Sequence, residues 1–237
     1  MKLSKQKEYY DTLWLQRKHL NSLKLARSIK ILDYLITAKK KLKNPRTLDL
    51  GCGDGRFTAF LGEFADTDAL ELSPEAVKVA NTKHPHVNYF QGDAISYPFE
   101  ANTYDVVVSQ EVIEHINNQE AYIQVCHRVL KKGGYLIITT PNKKTFDHMK
   151  GGNWSHQPIE NILSPAQFKN LVKTKFEIIS YDSIIFNFGR LGYFKIINNR
   201  LLIGASNRLG LKWLREHFLS KLGFGLHHCI LAKKVSE

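Results

Sequence analysis

The sequence predicts an α/β protein: a doubly wound, mostly parallel sheet of seven strands, with a helical cap ahead of it and an insertion before the last strand. Three observations carry this prediction. Short β-rich segments alternate with helical ones from residue 47 to residue 140, the pattern of parallel strands joined by crossover helices. A glycine cluster follows the first strand and opens a helix. The chain of 237 residues is 43% hydrophobic and 24% charged, a composition that builds a core and excludes disorder.

Each element has its own signal. Over residues 5–40, Tyr9, Leu13, Leu20, Leu23, Ile31 and Leu35 recur near helical spacing with lysines between them, which predicts one long helix closed by Asn44-Pro45. TLDL (47–50) reads as the first strand, followed by the glycine turn and a helix from Arg56. Ala69–Leu72 is the second strand, and Ser73-Pro74-Glu75 opens a helix with Ser at the N-cap and Pro at the first helical position. Val87–Phe90 is the third strand and YDVVVSQ (104–110) the fourth. A helix is expected from Glu111 through Leu130, stopped by Lys131-Lys132-Gly133-Gly134. YLIITT (135–140) is the fifth strand, and residues 142–163 read as a loop. SPAQFKNLVK (164–173) is a helix capped by Ser164; FEIISYDS (176–183) and HHCILAKKV (227–235) are the last two strands. About forty residues separate those two, where a hairpin needs roughly 2–5. The expected parts are therefore a cap (1–46), a core (47–183), an insertion (184–226) and a returning strand (227–237).

Charge is unevenly distributed. Residues 1–46 hold 13 Lys or Arg against 3 acids and residues 182–237 hold 9 against 3, whereas residues 47–181 hold 12 against 16. The net +12 therefore sits in the flanks of a mildly acidic centre. That placement fits an anionic surface beside the site, a membrane or a nucleic-acid backbone, better than a positively lined cleft. The plain alternative is a solvated basic face, as for KKKLK (39–43). Cys52, Cys126 and Cys229 form no pair at metal spacing and suit a reducing compartment. With no leader-like apolar core in MKLSKQKEYYD and no apolar run of about 18 residues, the expectation is a soluble cytoplasmic protein.

The stretch TLDLGCGDGRF sets Gly51, Gly53 and Gly55 at alternate positions between Asp49 and Asp54. A dinucleotide site uses GxGxxG and seats a pyrophosphate on the helix N-terminus, which two carboxylates would repel. The same acids suit a cationic ligand. Glu71 stands 20 residues after Gly51 at the end of the second strand, where an acid binds ribose hydroxyls, and Asp93 in QGDA is placed for an adenine amino group. These elements, with YDVVVSQEVIEHI and LKKGGYLIITTPN, resemble the class I S-adenosylmethionine-dependent methyltransferases across roughly residues 45–180. The resemblance implies a Rossmann-like fold and S-adenosylmethionine held by Asp49, Gly51, Cys52, Gly53, Gly55, Glu71, Leu72, Asp93, Ala94 and Gln110. It also implies that Tyr9, Tyr10 and Trp14 of the N-terminal helix cap the cofactor.

In SQEVIEHINN, a helix beginning at Glu111 would set Glu111, Glu114 and His115 on one face. The segment is similar to one in the ubiquinone-type O-methyltransferases and to one in the small-RNA 2′-O-methyltransferases. In the latter these three residues and a later His, here His156, hold a divalent metal, but this chain lacks their second His and aromatic pair. Three roles stand open: a metal site at Glu111, Glu114, His115 and His156; His115 or His156 as a metal-free general base; or a structural helix start. His84, His86, His127 and His148 are less well placed, and His227 and His228 read as surface or packing.

The insertion places Leu211, Leu214, Phe218 and Leu222 at helical spacing, with Trp213 beside them and Arg208, Lys212, Arg215 and Lys221 around. This fits a helix lying on an anionic bilayer, or a lid over the substrate site. Phe186, Phe188, Tyr193 and Phe194 are expected to line an apolar acceptor pocket. Together these readings imply methyl transfer to an oxygen of a small amphipathic or lipid-linked acceptor, a quinone precursor or glycolipid sugar. RNA methylation and a non-catalytic cofactor-binding protein are the alternatives.

Overall fold

A computed structural model describes residues 3–16, 21–149 and 158–235. Along the chain come α1 (Leu3–Gln16), α2 (Ser22–Lys39), β1 (Arg46–Leu50), α3 (Arg56–Gly62), β2 (Asp66–Glu71), α4 (Pro74–Lys83), β3 (Asn88–Gln91) and β4 (Tyr104–Gln110). A 3₁₀ turn (Ile113–His115) precedes α5 (Gln119–Val129), β5 (Leu130–Pro141), α6 (Lys143–Phe146), α7 (Pro165–Lys173) and β6 (Glu177–Ile184). The insertion folds as α8 (Phe194–Ile197), α9 (Arg200–Arg208) and α10 (Lys212–Lys221), and β7 (His227–Lys233) returns to the sheet.

The seven strands lie in the order β3-β2-β1-β4-β5-β7-β6. β3, β2, β1, β4 and β5 are parallel, while β7 runs antiparallel between β5 and β6. Alternate residues of the central strands face opposite layers, as a pleated strand requires. Val107, Leu136 and Ile138 join Tyr122, Ile123, Cys126 and Phe168 in one core. Val106, Val108 and Ile137 join Ile31, Tyr34 and Leu35 of α2 and Phe57 and Leu61 of α3 in the other. Each such side chain contributes about 1.5–3 kcal/mol through burial, so the two-sided core dominates stability. The cap helix is also pinned electrostatically: Asp182 of β6 accepts from Tyr34 at 2.8 Å and pairs with Lys30 at 2.9 Å and with Lys221 of α10 at 2.7 Å.

Three local expectations are corrected. The single helix read over 5–40 is two, because Asn21 caps a fresh start, its side chain accepting from the Lys24 amide at 2.8 Å. No helix begins at Glu111. Its φ of +59° is left-handed and its amide donates to the Thr139 carbonyl, so the chain makes only a 3₁₀ turn before Asn118 caps α5. β5 begins at Leu130, which pairs with Tyr104 before the register shifts to Val106 opposite Tyr135. In the loop after β5, the helix α6 and the bridge between Asn142 and Leu163 add order.

Asn142 anchors the end of the insertion to the sheet. Its side-chain amide donates to the carbonyls of Gly223 at 2.9 Å and Gly225 at 2.7 Å, while its side-chain oxygen accepts from the Lys144 amide. Asn142→Ala leaves those buried carbonyls short of donors and is expected to cost about 2–4 kcal/mol. Urea unfolding monitored by circular dichroism measures this; a loss below about 0.5 kcal/mol would show that the anchor is dispensable.

Candidate functional site

The strand order reverses between β1 and β4, and in open α/β sheets ligands bind outside the carboxyl ends of the strands at that point. A cavity of 310 Å³ lies there, walled by the ends of β1, β2 and β4, by the cap helices and by Pro141, Phe146 and Glu160. Asp49, Gly51, Cys52, Glu71, Leu72, Asp93, Ala94 and Gln110 all line it, as do Glu111, Glu114 and His115.

The glycine turn serves two ends. Gly51 has φ +83°, and a Cβ there would lie 2.3 Å from the Val112 side chain. Gly55 has φ +74° and caps α3, but a Cβ on it would strike Ala80 and Tyr89 at 2.7 Å. Gly55 is thus demanded by packing of α3 on α4 and β3, and neither it nor Gly53 is on the cavity wall. Asp54 faces away as well, paired with Arg56 at 2.9 Å.

The acids on the wall are held individually. Glu71 accepts from the Gly53 amide at 2.9 Å and from the Ser73 amide at 3.0 Å, one on each oxygen, which leaves each oxygen a further lone pair; burial still raises its pKa. Asp93 uses Oδ1 for the amides of Ile95 and Ser96, which fixes the carboxylate and leaves Oδ2. Asp49 is buried and accepts from the Thr58 hydroxyl at 2.6 Å; burial pushes its pKa up to about 6 against the pull of Thr58 and Lys24. The side-chain nitrogen of Gln110 is buried without a partner among the described residues.

Glu111, Glu114 and His115 converge on the cavity without sharing a helical face. Glu111 accepts from Thr139 at 2.9 Å and contacts His227 at 3.0 Å, with Arg27 at 3.8 Å. Burial opposes its charge, but His227 and Arg27 outweigh that and hold its pKa well below the usual range. Glu114, 1% exposed, accepts from Thr140; burial first and then neighbouring Glu111 push its pKa well up. His115 Nδ1 lies 2.8 Å from the Ile159 carbonyl, which only accepts, so Nδ1 carries the proton and Nε2 keeps its lone pair. Burial lowers the His115 pKa and keeps the ring neutral.

With Glu111 occupied by Thr139 and His227, Glu114 by Thr140 and His115 by Ile159, no group of three or more His, Cys, Asp or Glu among the described residues is arranged for an ion. His156 lies outside the described residues. His227, expected at the surface or in packing, is instead buried against Glu111. His228 is packing, bonded to Tyr181 and driven by burial to a pKa of about 3.

The cap closes the cavity through α1. Gln6 donates to the His115 carbonyl at 2.8 Å, and the Tyr10 ring meets the His115 ring edge-on. Tyr9 stacks edge-on against Tyr10, and the Trp14 side chain lies outside the described set. Lys24, Arg27 and Glu160 also line the cavity. No motif marks them; Lys24 and Arg27 differ from the other basic residues of α2 only by sitting one turn apart on its buried face. The aromatic residues expected in an acceptor pocket do not reach the cavity. Phe194 packs with Tyr193, His148 and Phe224 instead, because the insertion uses them for its own small core.

Residues 48–138 match the family model described as a methyltransferase domain. With the sheet order and the acids of the site, this match likens the chain to the class I S-adenosylmethionine-dependent methyltransferases. Within that class it is similar to ubiquinone biosynthesis O-methyltransferases. The mitochondrial protein of Rattus norvegicus is 36% identical over 128 residues, covering 50% of this chain and 37% of that protein. That of Xanthomonas oryzae is 34% identical over 118 residues, covering 47% and 49%. The chain thus matches less than half the length of these relatives. Among solved structures, the [4+2]-cyclase SpnF superposes with a TM-score of 0.69 at 17% identity, over 100% of this chain and 98% of that one. A putative sarcosine dimethylglycine methyltransferase from Galdieria sulphuraria gives 0.63 at 18%, over 98% of both. A fold shared with a cyclase shows architecture alone, so chemistry must come from the site.

Asp49 yields a signed prediction. Its proton is held more tightly in the folded chain (about 6) than at the ordinary value of 3.8, so stability falls as pH rises through that window and the full cost stands above it. That cost is about 3 kcal/mol, and Asp49→Asn is expected to recover part of it, raising the thermal midpoint at pH 8. Calorimetric titration with S-adenosylhomocysteine, whose ammonium favours the ionised acid, should show affinity falling as pH drops below about 6 in the wild type. In Asp49→Asn the affinity should be weaker and pH-independent. A flat wild-type profile would remove Asp49 from ligand binding.

Proposed function

We propose that the chain transfers a methyl group from S-adenosylmethionine to a hydroxyl oxygen of a small amphipathic or lipid-linked acceptor. The observation that carries this reading is His115, a neutral imidazole of the cavity lining whose Nδ1 is held by the Ile159 carbonyl, leaving an unprotonated Nε2 3.6 Å from Glu114 Oε1. Methylating a hydroxyl requires its proton to leave, and a histidine with a pKa near or below neutrality is suited to take it.

When bound, S-adenosylmethionine supplies a methyl group on a positively charged sulfonium. Glu71 and Asp93 would hold its ribose and adenine, and Asp49 with Gln110 its methionine end. Holding the acceptor oxygen in line with the methyl supplies much of the rate, and α1 and Tyr10 exclude water from that contact. His115 Nε2 would take the acceptor's hydroxyl proton, and burial, by raising the pKa of Glu114 3.6 Å from that nitrogen, would keep that carboxyl from adding a negative charge beside it.

The lipid-linked part of the reading is supported by the insertion. Leu201 (82% exposed), Trp213 (73%), Leu209 and Phe218 face solvent from α9 and α10, an uncommon display for a surface that touches only water. Arg200, Arg208, Lys212 and Arg215 lie among them, the pairing of apolar anchors and cations that favours an anionic bilayer. No helix among the described residues is long and apolar enough to cross a membrane, so the association proposed is peripheral.

Labelled-methyl assays with a polyprenyl catechol, a glycolipid extract and RNA as acceptors test the activity. His115→Gln is expected to lower kcat by about 10²–10⁴ while S-adenosylhomocysteine affinity stays within about threefold. Near-normal turnover in that variant would dismiss the base assignment. Methylation of RNA alone would move the acceptor to nucleic acid, and cofactor binding without transfer to any acceptor would favour a non-catalytic role.

In flotation assays the wild type should bind phosphatidylglycerol vesicles and not phosphatidylcholine ones. Trp213→Glu with Phe218→Glu should abolish binding without altering cofactor affinity. Unchanged flotation in the double variant would sink the membrane proposal.

A further inference from the structure

Glu111 is the first residue beyond β4 and lines the cavity. It is a non-glycine residue at φ +59°, a strained conformation that persists only where its surroundings impose it. Thr139 imposes it twice: its carbonyl accepts the Glu111 amide at 3.1 Å, and its hydroxyl donates to Oε1 at 2.9 Å. On the other oxygen, His227 Nε2 approaches Oε2 to 3.0 Å. The same Nε2 lies 3.0 Å from Arg27 Nη1, while Arg27 Nη1 and Glu111 Oε2 remain 3.8 Å apart, beyond hydrogen-bond range.

The imidazole is therefore wedged between an arginine and a carboxylate that would otherwise close on each other. Arg–carboxylate pairs left alone become bidentate and neutralise one another. Here they are separated, and both still line the cavity. His227, 5% exposed and absent from the cavity wall, touches no ligand-facing space. The arrangement is also costly: Arg27 Nε and His227 Nδ1 are buried without partners among the described residues. An apolar cluster of the same volume would be at least as stable, so stability alone does not account for it.

The place of Glu111 indicates what the separation serves. Its neighbour Val112 packs on Gly51, close enough that a Cβ on that glycine would sit 2.3 Å away. Gly51 lines the cavity beside Asp49 and Gln110, the residues given to the methionine end of the cofactor in the reading above, on which this inference rests. That end carries a carboxylate, an ammonium and a sulfonium, so it needs a cation and an anion on the protein that have not cancelled.

We propose that His227 is a positioning residue, a spacer that keeps the Glu111 carboxylate apart from Arg27 and directed at the positive, methyl-bearing end of the cofactor. Without the spacer, Arg27 and Glu111 collapse into a direct pair and the negative potential at the transferring position falls. Glutamine in its place satisfies both neighbours, its amide nitrogen donating to Glu111 and its oxygen accepting from Arg27.

Two cofactor analogues read this potential with no acceptor present. S-adenosylhomocysteine has a neutral thioether at the reacting position, and sinefungin carries a protonated amine there. The measured quantity is the ratio of their affinities by calorimetry at pH 7.5. Relative to wild type, Glu111→Gln should lower the preference for sinefungin about tenfold and His227→Ala about three- to tenfold, with His227→Gln within about twofold. S-adenosylhomocysteine affinity should change less than about threefold throughout. A preference unmoved in Glu111→Gln, or His227→Gln no better than His227→Ala, overturns the proposal. If His227→Ala fails to fold by circular dichroism, the Glu111→Gln and His227→Gln ratios still decide it. Failure of the wild type to bind S-adenosylhomocysteine would instead bring down the cofactor reading itself.

Discussion

Five carboxylates, those of Asp49, Glu71, Asp93, Glu111 and Glu114, converge on the carboxyl end of one sheet, and keeping them there governs how the rest of the chain is arranged. Taking a carboxylate out of water is unfavourable unless donors replace the water it loses. Here the donors come from different elements. Thr58 of α3 serves Asp49, and the backbone of the glycine turn and of the α4 N-cap serves Glu71. The chain after β3 serves Asp93, β5 serves Glu111 and Glu114, and α2 and β7 add Arg27 and His227. A parallel sheet suits this task because its strand ends lie side by side, and each crossover returns another set of donors to the same edge.

The consequence is a division of charge states within one cavity. Glu111 is held ionised by two basic groups, whereas Glu114, buried against the Thr140 hydroxyl and 3.6 Å from His115 Nε2, is pushed toward its neutral form. His115 is kept neutral with its basic nitrogen defined by a backbone carbonyl. Pairs of titratable groups driven apart in this way are candidates for acid–base and charge-binding roles. The insertion occupies a different niche. It buries its own small aromatic cluster, leaves a leucine- and tryptophan-bearing face outward, and meets the cavity only indirectly, through the strand that begins at His227.

How far the sequence reads correctly depends on how local the governing physics is. The strand–glycine–helix unit at 46–62, the Ser73 and Ser164 caps and the seven strands are written in contiguous residues, and each stands within a few positions of its expected place. The helix at Glu111 fails because a long-range bond to Thr139 outweighs local helical preference and forces a left-handed φ. Asn21 was a legible break within the N-terminal helix, since Asn followed by Ser is a helix start, but continuous apolar periodicity across it masks the signal. Gly55 is the converse: its position in the motif implies ligand contact, and its real constraint is Ala80 and Tyr89, neither near in sequence.

By itself the sequence determined the fold class and the strand ends and turns that carry Asp49, Glu71 and Asp93 to one edge of the sheet, because those are written in contiguous residues. Only the tertiary structure decided the surroundings of Glu111 and His115. Arg27, Glu111 and His227 come from the cap, the core and the far side of the insertion, and nothing in their spacing announces that one imidazole stands 3.0 Å from both partners. The His115 tautomer likewise depends on a carbonyl 44 residues away. Charge states and proton positions follow from burial and neighbours in space, and those exist only after the chain has closed on itself.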